Sequence, residues 1–298
     1  MEFGTKLTLN VAVNNSTLPI SRIDKRLNAG SLVLLDFSHS LSNSTIIPTN
    51  GSTIKNLASF EATTLLSTSE ANISPIITNT TTTNGMKLEF TGKKGLHGIV
   101  SQVNDIDSGN DFTIKLPDII RDYIYNNISR GFFISIWDRK TRLATTASTS
   151  IFNLGLNTTS NYINAFTTGG GNMKGSNIGG RFSTTSLNSL SPQINNSAVS
   201  VITGTVTNSS SENLFKFGSF GAYRTLEVNK ACSNILYQLH IVDIETARVE
   251  YNTLNNASLT TAQMYSVLDT ADLANWTYAF SSIGRFYNDT FTDPATFA

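Results

Sequence analysis

The apolar residues of this chain come in short runs. Ser31-Leu-Val-Leu-Leu-Asp-Phe37, Lys87-Leu-Glu-Phe90, Gly98–Val103, Phe112–Leu116 and Gly131–Trp137 are brief, rich in β-branched or aromatic side chains, and bounded by Gly, Asn, Asp, Ser or Pro. Runs of that length with those ends suit strands and are too short for ordinary helices. Further candidates at Thr141–Phe152, Tyr162–Thr167, Ser197–Thr207, Asn213–Phe220 and Ile235–Val242 continue the pattern, at the spacing of an antiparallel sandwich or barrel.

The intervals carry the turn chemistry. Residues 38–86 are dominated by Ser, Thr and Asn, with Pro48, Asn50-Gly51 and Asn84-Gly85 as turn signals, and predict strands joined by long loops. Asp118–Ser129 predicts one or two helical turns. The segment Gly169–Gly180 has six glycines and no apolar periodicity, and reads as a surface loop. An Asp243-Ile-Glu-Thr246 turn is expected after the last strand, and the clearest helix runs from about Leu259 to Phe280. In that helix Thr260 and Gln263 are placed for a capping box. Met264, Leu268 and Ala271 recur at helical spacing, as do Leu273 and Trp276, which predicts a core stripe. Residues 1–30 hold a short alternating run, Lys6–Val13, then Pro19 and the basic stretch Arg22–Arg26. They read as an arm ahead of one domain spanning 31–298.

Composition narrows the function classes. With 39% hydrophobic residues, seventeen Phe and nine Tyr, the chain can build a core without metals or disulfides. Only 14% of residues are charged, against roughly a quarter in an average soluble protein, so the surface is polar but mostly uncharged. The 21 basic and 21 acidic residues cancel, which argues against nucleic acid or an anionic membrane as partner. No run approaches the roughly twenty apolar residues of a membrane span, so membrane insertion is not expected. The start, Met-Glu-Phe-Gly-Thr-Lys, lacks the basic and apolar regions of a secretory signal. The sequons, among them Asn15, Asn43, Asn208 and Asn275, are accordingly read as unglycosylated. The single cysteine, Cys232, is expected to pack as a small hydrophobe.

Catalytic and metal motifs are sparse. His39, His97 and His240 lack the short spacing that puts two ligands on one helical face. No Gly-x-Ser-x-Gly elbow anchors a Ser-His-Asp triad. A sandwich glycosidase needs two carboxylates about 5–10 Å apart, and only Asp243 and Glu245 come close to alternate positions of one strand. Asn104–Asp111 places acids at alternating positions around a glycine, as short calcium loops do, without the terminal glutamate of the EF-hand. The Gly-rich segment lacks the Lys-Ser/Thr ending of a phosphate cradle. No residue is assigned a catalytic, cofactor-binding or metal role, and no cofactor is expected.

Leu236-Tyr-Gln-Leu-His-Ile-Val-Asp243 and Gly284-Arg-Phe-Tyr-Asn-Asp-Thr-Phe-Thr-Asp-Pro294 resemble the strand before a helix and the closing segment of a known domain type. That type is the concanavalin A-like, laminin G-like domain of virion structural proteins in tailed bacteriophages. Phe132-Phe-Ile-Ser-Ile-Trp137 fits it more loosely. The resemblance implies a mainly β fold, an antiparallel jelly-roll sandwich with one helix near the C-terminus. It also implies a non-enzymatic virion protein, assembled in the host cytoplasm as a capsid decoration, fibre or tail component. The implied partners are other virion proteins, further copies of the chain and host surface glycans. A lectin-like adhesin and, further off, a sandwich glycosidase stand as alternatives. The arm would attach the domain by adding a strand to a neighbouring chain.

Overall fold

The fold is seen in a computed structural model. It describes residues 22–42, 46–79, 85–101, 112–127, 130–142, 150–154, 163–166, 171–173, 178–182, 193–195, 213–217 and 232–297. The strands are β1 (Ser31–Asp36), β2 (Ile76–Asn79), β3 (Met86–Phe90), β4 (Leu96–Val100), β5 (Phe112–Lys115), β6 (Phe132–Arg142), β7 (Ser150–Leu154), β8 (Ile163–Phe166), β9 (Gly171–Met173), β10 (Ile178–Phe182), β11 (Gln193–Asn195), β12 (Asn213–Phe217) and β13 (Ser233–Asp243). The helices are α1 (Ser59–Leu66), α2 (Asp118–Asn126), α3 (Ile244–Asn255) and α4 (Thr261–Phe280).

The strands form two sheets. One runs β11-β10-β6-β13-β4-β3, with β1 also paired to β13; the other runs β2-β5-β12-β7-β8-β9. Among the described residues every strand pairing is antiparallel except that of β10 with β6. The long strand β13 organises the first sheet. Along one side it pairs with β6 from Ser233 to Asp243. Along the other it meets β4 at Asn234–Leu236 and β1 at Gln238–Val242, end to end.

Strands β1, β4 and β13 are buried at every residue, which explains runs such as Leu32–Leu35 that do not alternate with polar residues. Alternation of side chains across β6 divides its burial between two layers. Phe132, Ile134 and Ile136 join Leu236, Leu239 and Ile241 against Phe112, Ile114, Phe152 and Phe217 of the second sheet. Phe133 and Trp137 face the other way, into clusters with residues of α3, α4 and the closing segment. The result is three layers: sheet, sheet and helices. Gly98 permits the close approach between the sheets, since a Cβ there would sit 2.5 Å from the Phe217 ring.

A bulge sets the outer face of β13. Leu236 pairs with Asp138 and Gln238 with Trp137, so Tyr237 is an extra residue without a partner on β6. Its ring joins Trp137 and Phe286 beneath the C-terminal segment.

The free edge of β1 is met by a side chain. Asn56, buried, accepts the Leu34 N–H (2.9 Å) and the Ala58 N–H (3.0 Å), and donates to the carbonyls of Leu32 (3.0 Å) and Ile73 (3.2 Å). One carboxamide thereby satisfies backbone groups that a neighbouring strand would otherwise take.

Several expectations need correction. The tract 38–86, read as strands and loops, contains α1 and a 3-10 turn at Glu70–Ile73. The Asp243–Thr246 segment starts a helix, α3, instead of a turn. With α2, where one or two helical turns were expected, and the expected α4, there are four α-helices among the described residues, of which α1 and α3 were not anticipated. Within the Gly-rich segment read as a loop, residues 171–173 and 178–180 lie in strands. Helix α4 carries the expected capping box, with Gln263 N 3.3 Å from Thr260 Oγ1 and Thr260 N 2.8 Å from Gln263 Oε1. In its stripe Met264 is buried but Ala271 is exposed, and Asp272 takes the inner position. The strand expected at Ser197–Thr207, the acidic loop Asn104–Asp111 and the alternating run Lys6–Val13 lie outside the described residues.

Candidate functional site

The polar chemistry of this fold gathers around β13 as a set of acids, each receiving hydrogen bonds from distant parts of the chain. Asp243, at the end of β13, is fully buried. Its Oδ1 caps α3 through the N–H groups of Glu245 (3.0 Å) and Thr246 (3.2 Å). Its Oδ2 accepts from the Tyr123 hydroxyl (2.6 Å), Arg130 Nε (2.9 Å) and the Thr246 hydroxyl (3.0 Å). Burial, helped by that carboxylate, pushes the Tyr123 phenol up to about 12.

Glu245, the other member of the pair singled out in the sequence, points elsewhere. It binds Arg248 and the Thr261 hydroxyl (3.1 Å), and the bond from Arg248 holds its carboxyl below the usual range. With five donors on Asp243 and Glu245 turned to α4, the two acids do not share a cleft. The pair ties α2, α3, α4 and the β6 entry together.

At the other end of β1, Asp36 is equally buried. It accepts from Arg26 Nη2 (2.7 Å), Arg285 Nη1 (2.6 Å) and both the backbone N–H (3.0 Å) and hydroxyl (2.7 Å) of Ser38. Burial alone would raise this carboxyl, but the two guanidinium groups outweigh it and hold it below its ordinary value. Arg26 also binds Asp24 and Gln238, and Arg285 lies 4.6 Å over the Phe286 ring. The cluster joins the segment before β1 to the segment after α4.

Three further acids repeat the arrangement. Asp272 of α4 accepts from the Ser135 hydroxyl (2.9 Å) and Trp137 Nε1 (3.2 Å). Asp289 accepts from the Tyr237 hydroxyl (2.8 Å) and the Lys93 N–H (2.7 Å). Glu89 accepts from the Thr292 N–H (2.8 Å) and hydroxyl (2.6 Å) and lies 3.0 Å from His97 Nδ1. Burial favours the protonated form of Glu89, yet these donors bring it down to about 2.

The histidines are held separately. His39 Nδ1 accepts the Leu41 N–H (3.1 Å), His97 Nε2 lies 2.8 Å from the Thr141 hydroxyl, and His240 Nε2 lies 3.3 Å from the Ser31 hydroxyl. Cys232 is fully buried in the inter-sheet core, and burial pushes its thiol up to about 11. Among the described residues, no three His, Cys, Asp or Glu converge as a metal site, and no helix is long and apolar enough to cross a membrane.

Two surface features complete the site. The root of the N-terminal segment is clamped by Arg22, which binds Glu61 of α1 (3.0 Å) and Glu250 of α3. Each of these three charges has an exposed apolar neighbour in sequence: Ile23, Phe60 and Val249. Beside α1 opens a cleft of about 850 Å3, walled by Phe37, Ile46, Ile47, Ile54 and Ala71, with the Lys55–Glu70 ion pair among its lining. Asp243 was legible in the sequence; the Asp36, Asp272 and Asp289 clusters, whose partners lie far apart along the chain, were not, nor was the cleft, whose lining falls within residues 37–74. Comparison with family models, with curated proteins and with solved structures gives no match.

Proposed function

We propose that the chain is a structural protein of a bacteriophage particle, built on a concanavalin A-like jelly roll and acting by assembly and surface binding without catalysis. The observation that carries this reading is the clamp on the N-terminal segment. Arg22 ties its root to two helices, and Arg26 ties it to buried Asp36. Arg22 is therefore held at a fixed point on the body, and the chain neighbours of the three bridging charges, Ile23, Phe60 and Val249, are exposed. A fixed root lets an arm reach a neighbour in a defined direction. A chain of zero net charge also lets copies approach without long-range repulsion.

The sequence resemblance of Leu236–Asp243 and Gly284–Pro294 supplies the bacteriophage context. In that setting the partners are other virion proteins and further copies of the chain. The test is the mass in solution, by light scattering, of the full chain and of the chain lacking residues 1–21. A multimer that becomes a folded monomer on truncation is the expected result. A monomer in both cases would remove self-assembly through the arm.

A lectin-like role draws on one corner of the molecule. Tyr278, Ile283 and Tyr287 are exposed where the chain turns back at the end of α4, through the Gly284 N–H to Ser281 O and Phe286 N–H to Ala279 O bonds. Exposed rings on a braced turn suit stacking against sugars. A glycan array without a binder, or binding unchanged by Tyr278→Ala with Tyr287→Ala, would dismiss it.

A further inference from the structure

Three polar side chains meet on the inner face of the first sheet. Asn234 of β13 and Lys140 of β6 are directly opposed in the antiparallel pairing, and Asp138 stands two residues before Lys140 on the same strand. Opposed residues of an antiparallel pair present their side chains on one face, with Cβ atoms about 4.5–5.5 Å apart. Leu236, two residues beyond Asn234, packs in the inter-sheet core, which identifies that face. Ile235 and Arg139 turn the other way, Ile235 into the cluster under the closing segment and Arg139 to 4.8 Å over the Phe291 ring. Asn234 is 0% exposed and Lys140 1%, and the buried Asp138 carboxylate lies 3.6 Å from Lys140 Nζ. On its other side Asn234 pairs with Gly98, against which the Phe217 ring packs, so the second sheet closes over this part of β13.

The Asn234 carboxamide makes no hydrogen bond through either its oxygen or its nitrogen. A buried amide in that state bears the desolvation cost of both ends, and the buried ion pair beside it carries a cost of its own. Joining Lys140 to Asn234 would remove the ion pair and the primary amide together. A lysine amine held away from water beside a base is a nucleophile, and the strand register holds it next to the carboxamide carbon, an electrophile. Gln238, the other buried carboxamide of β13 with an unpartnered nitrogen, lacks this setting: it stands opposite Trp137 and accepts from Arg26.

We infer that Lys140 and Asn234 become joined by an isopeptide bond, which the chain forms on itself with Asp138 as the proton carrier. Asp138 takes a proton from the Lys140 ammonium. The amine nitrogen then adds to Cγ of Asn234. As the adduct collapses, the bond from Cγ to Nδ2 breaks, and Nδ2 leaves as ammonia with a proton drawn from the attacking nitrogen. An amide between Lys140 Nζ and Asn234 Cγ remains, Asp138 keeps its proton, and no oxidant, metal or second substrate enters. The bond ties β6 to β13, the two longest strands, and closes the chain between them into a covalent loop, which restricts the unfolded state. It is independent of the assembly reading.

The measurement is the intact mass of the folded, full-length chain. Loss of ammonia should lower it by about 17 Da from the mass that the sequence requires. A tryptic digest should contain Lys140–Arg142 joined to Ala231–Arg248 as one branched peptide. Lys140→Arg and Asp138→Asn should each restore the sequence mass and abolish the branched peptide. A folded wild-type chain at its sequence mass would overturn the inference. So would a deficit that persists in Lys140→Arg, which would place the loss elsewhere, as at Asn50-Gly51 or Asn84-Gly85. A branched peptide that still forms in Asp138→Asn would overturn the part assigned to Asp138.

Discussion

The indole N–H of Trp137 on β6 points at the carboxylate of Asp272 on α4, 3.2 Å from Oδ1 and 3.4 Å from Oδ2. Asp272 is 7% exposed and also receives the Ser135 hydroxyl, so the acid fastens the longest helix to the centre of the first sheet. Asp272→Ala leaves a buried indole N–H and a hydroxyl without this acceptor and should cost about 2–4 kcal/mol. The loss would be read as a lower urea midpoint at unchanged slope. Asp272→Asn, which keeps one acceptor oxygen, should cost less. A change below about 0.5 kcal/mol for the alanine variant would mean that apolar packing alone holds α4.

Helix α4 shows what a sequence discloses and what it conceals. Its cap was legible because Thr260 and Gln263 are three residues apart and their reciprocal bonds are local. Its inner face was legible at Met264 but not at Asp272, whose partners Ser135 and Trp137 lie more than 130 residues away. Helix α3 was missed because Asp243 accepting from Glu245 and Thr246 is also how an Asx turn begins. The helix then buries only Ile244 and Ala247, too few to leave a stripe. In α1 the buried residues are Glu61 and Ala62, within a Ser/Thr-rich tract that signals turns. The sheet was the readable part, since a run as short as Phe132–Trp137, rich in aromatic and β-branched residues, favours a strand over a helix. Its parallel pairing with β10 has no local signature.

Asn56 should behave as a keystone of β1. Asn56→Ala removes the acceptor for the Leu34 and Ala58 N–H groups and the donor to the Leu32 and Ile73 carbonyls. A loss of about 3–5 kcal/mol is expected, since several buried backbone groups are stranded together. Asn56→Asp keeps the acceptor oxygen but loses the donor, and buries a charge, so it should not rescue. Hydrogen exchange offers a second readout: the Leu34 amide should lose protection in the alanine variant well before amides of β6. Uniform loss of protection would mean that Asn56 supports the whole fold and not the β1 edge.

Acid should destabilise the chain in two stages. Burial brings His240 down to about 3 from an ordinary value near 6.5, so it is neutral in the folded state where the unfolded chain is protonated. The stability this confers is complete above about pH 6.5 and falls as pH drops toward 3, with a slope of up to about 1.4 kcal/mol per pH unit. Glu89, brought down to about 2, adds a second loss beginning below about pH 4.5 as the unfolded carboxylate takes up protons first. His240→Gln should weaken the dependence between pH 6.5 and 4.5 and leave the part due to His97, whose protonation burial also disfavours, while Glu89→Gln should act chiefly in the steeper region below. Unfolding midpoints measured across this range would check both. A wild-type profile flat from pH 7 to 5 would contradict the assignment to His240.

The two arginines around Asp36 should couple strongly. With Arg26 removed, Asp36 retains Arg285 (2.6 Å) and the Ser38 donors; with Arg285 removed, it retains Arg26 (2.7 Å). Either single change leaves the buried carboxylate one compensating charge, and Arg285 is the more exposed of the two, so Arg285→Ala should cost about 1 kcal/mol and Arg26→Ala about 2. Removing both strands a fully buried negative charge, and the double variant should lose about 1–2 kcal/mol more than the sum. Arg26 also anchors the root of the N-terminal segment, so Arg26→Ala should weaken self-association where Arg285→Ala does not. Additive stability losses would show that Asp36 is held by its Ser38 bonds. Equal association in both single variants would show that the Arg22 bridges to Glu61 and Glu250 fix the root unaided, because they are the remaining charged ties between that segment and the helices.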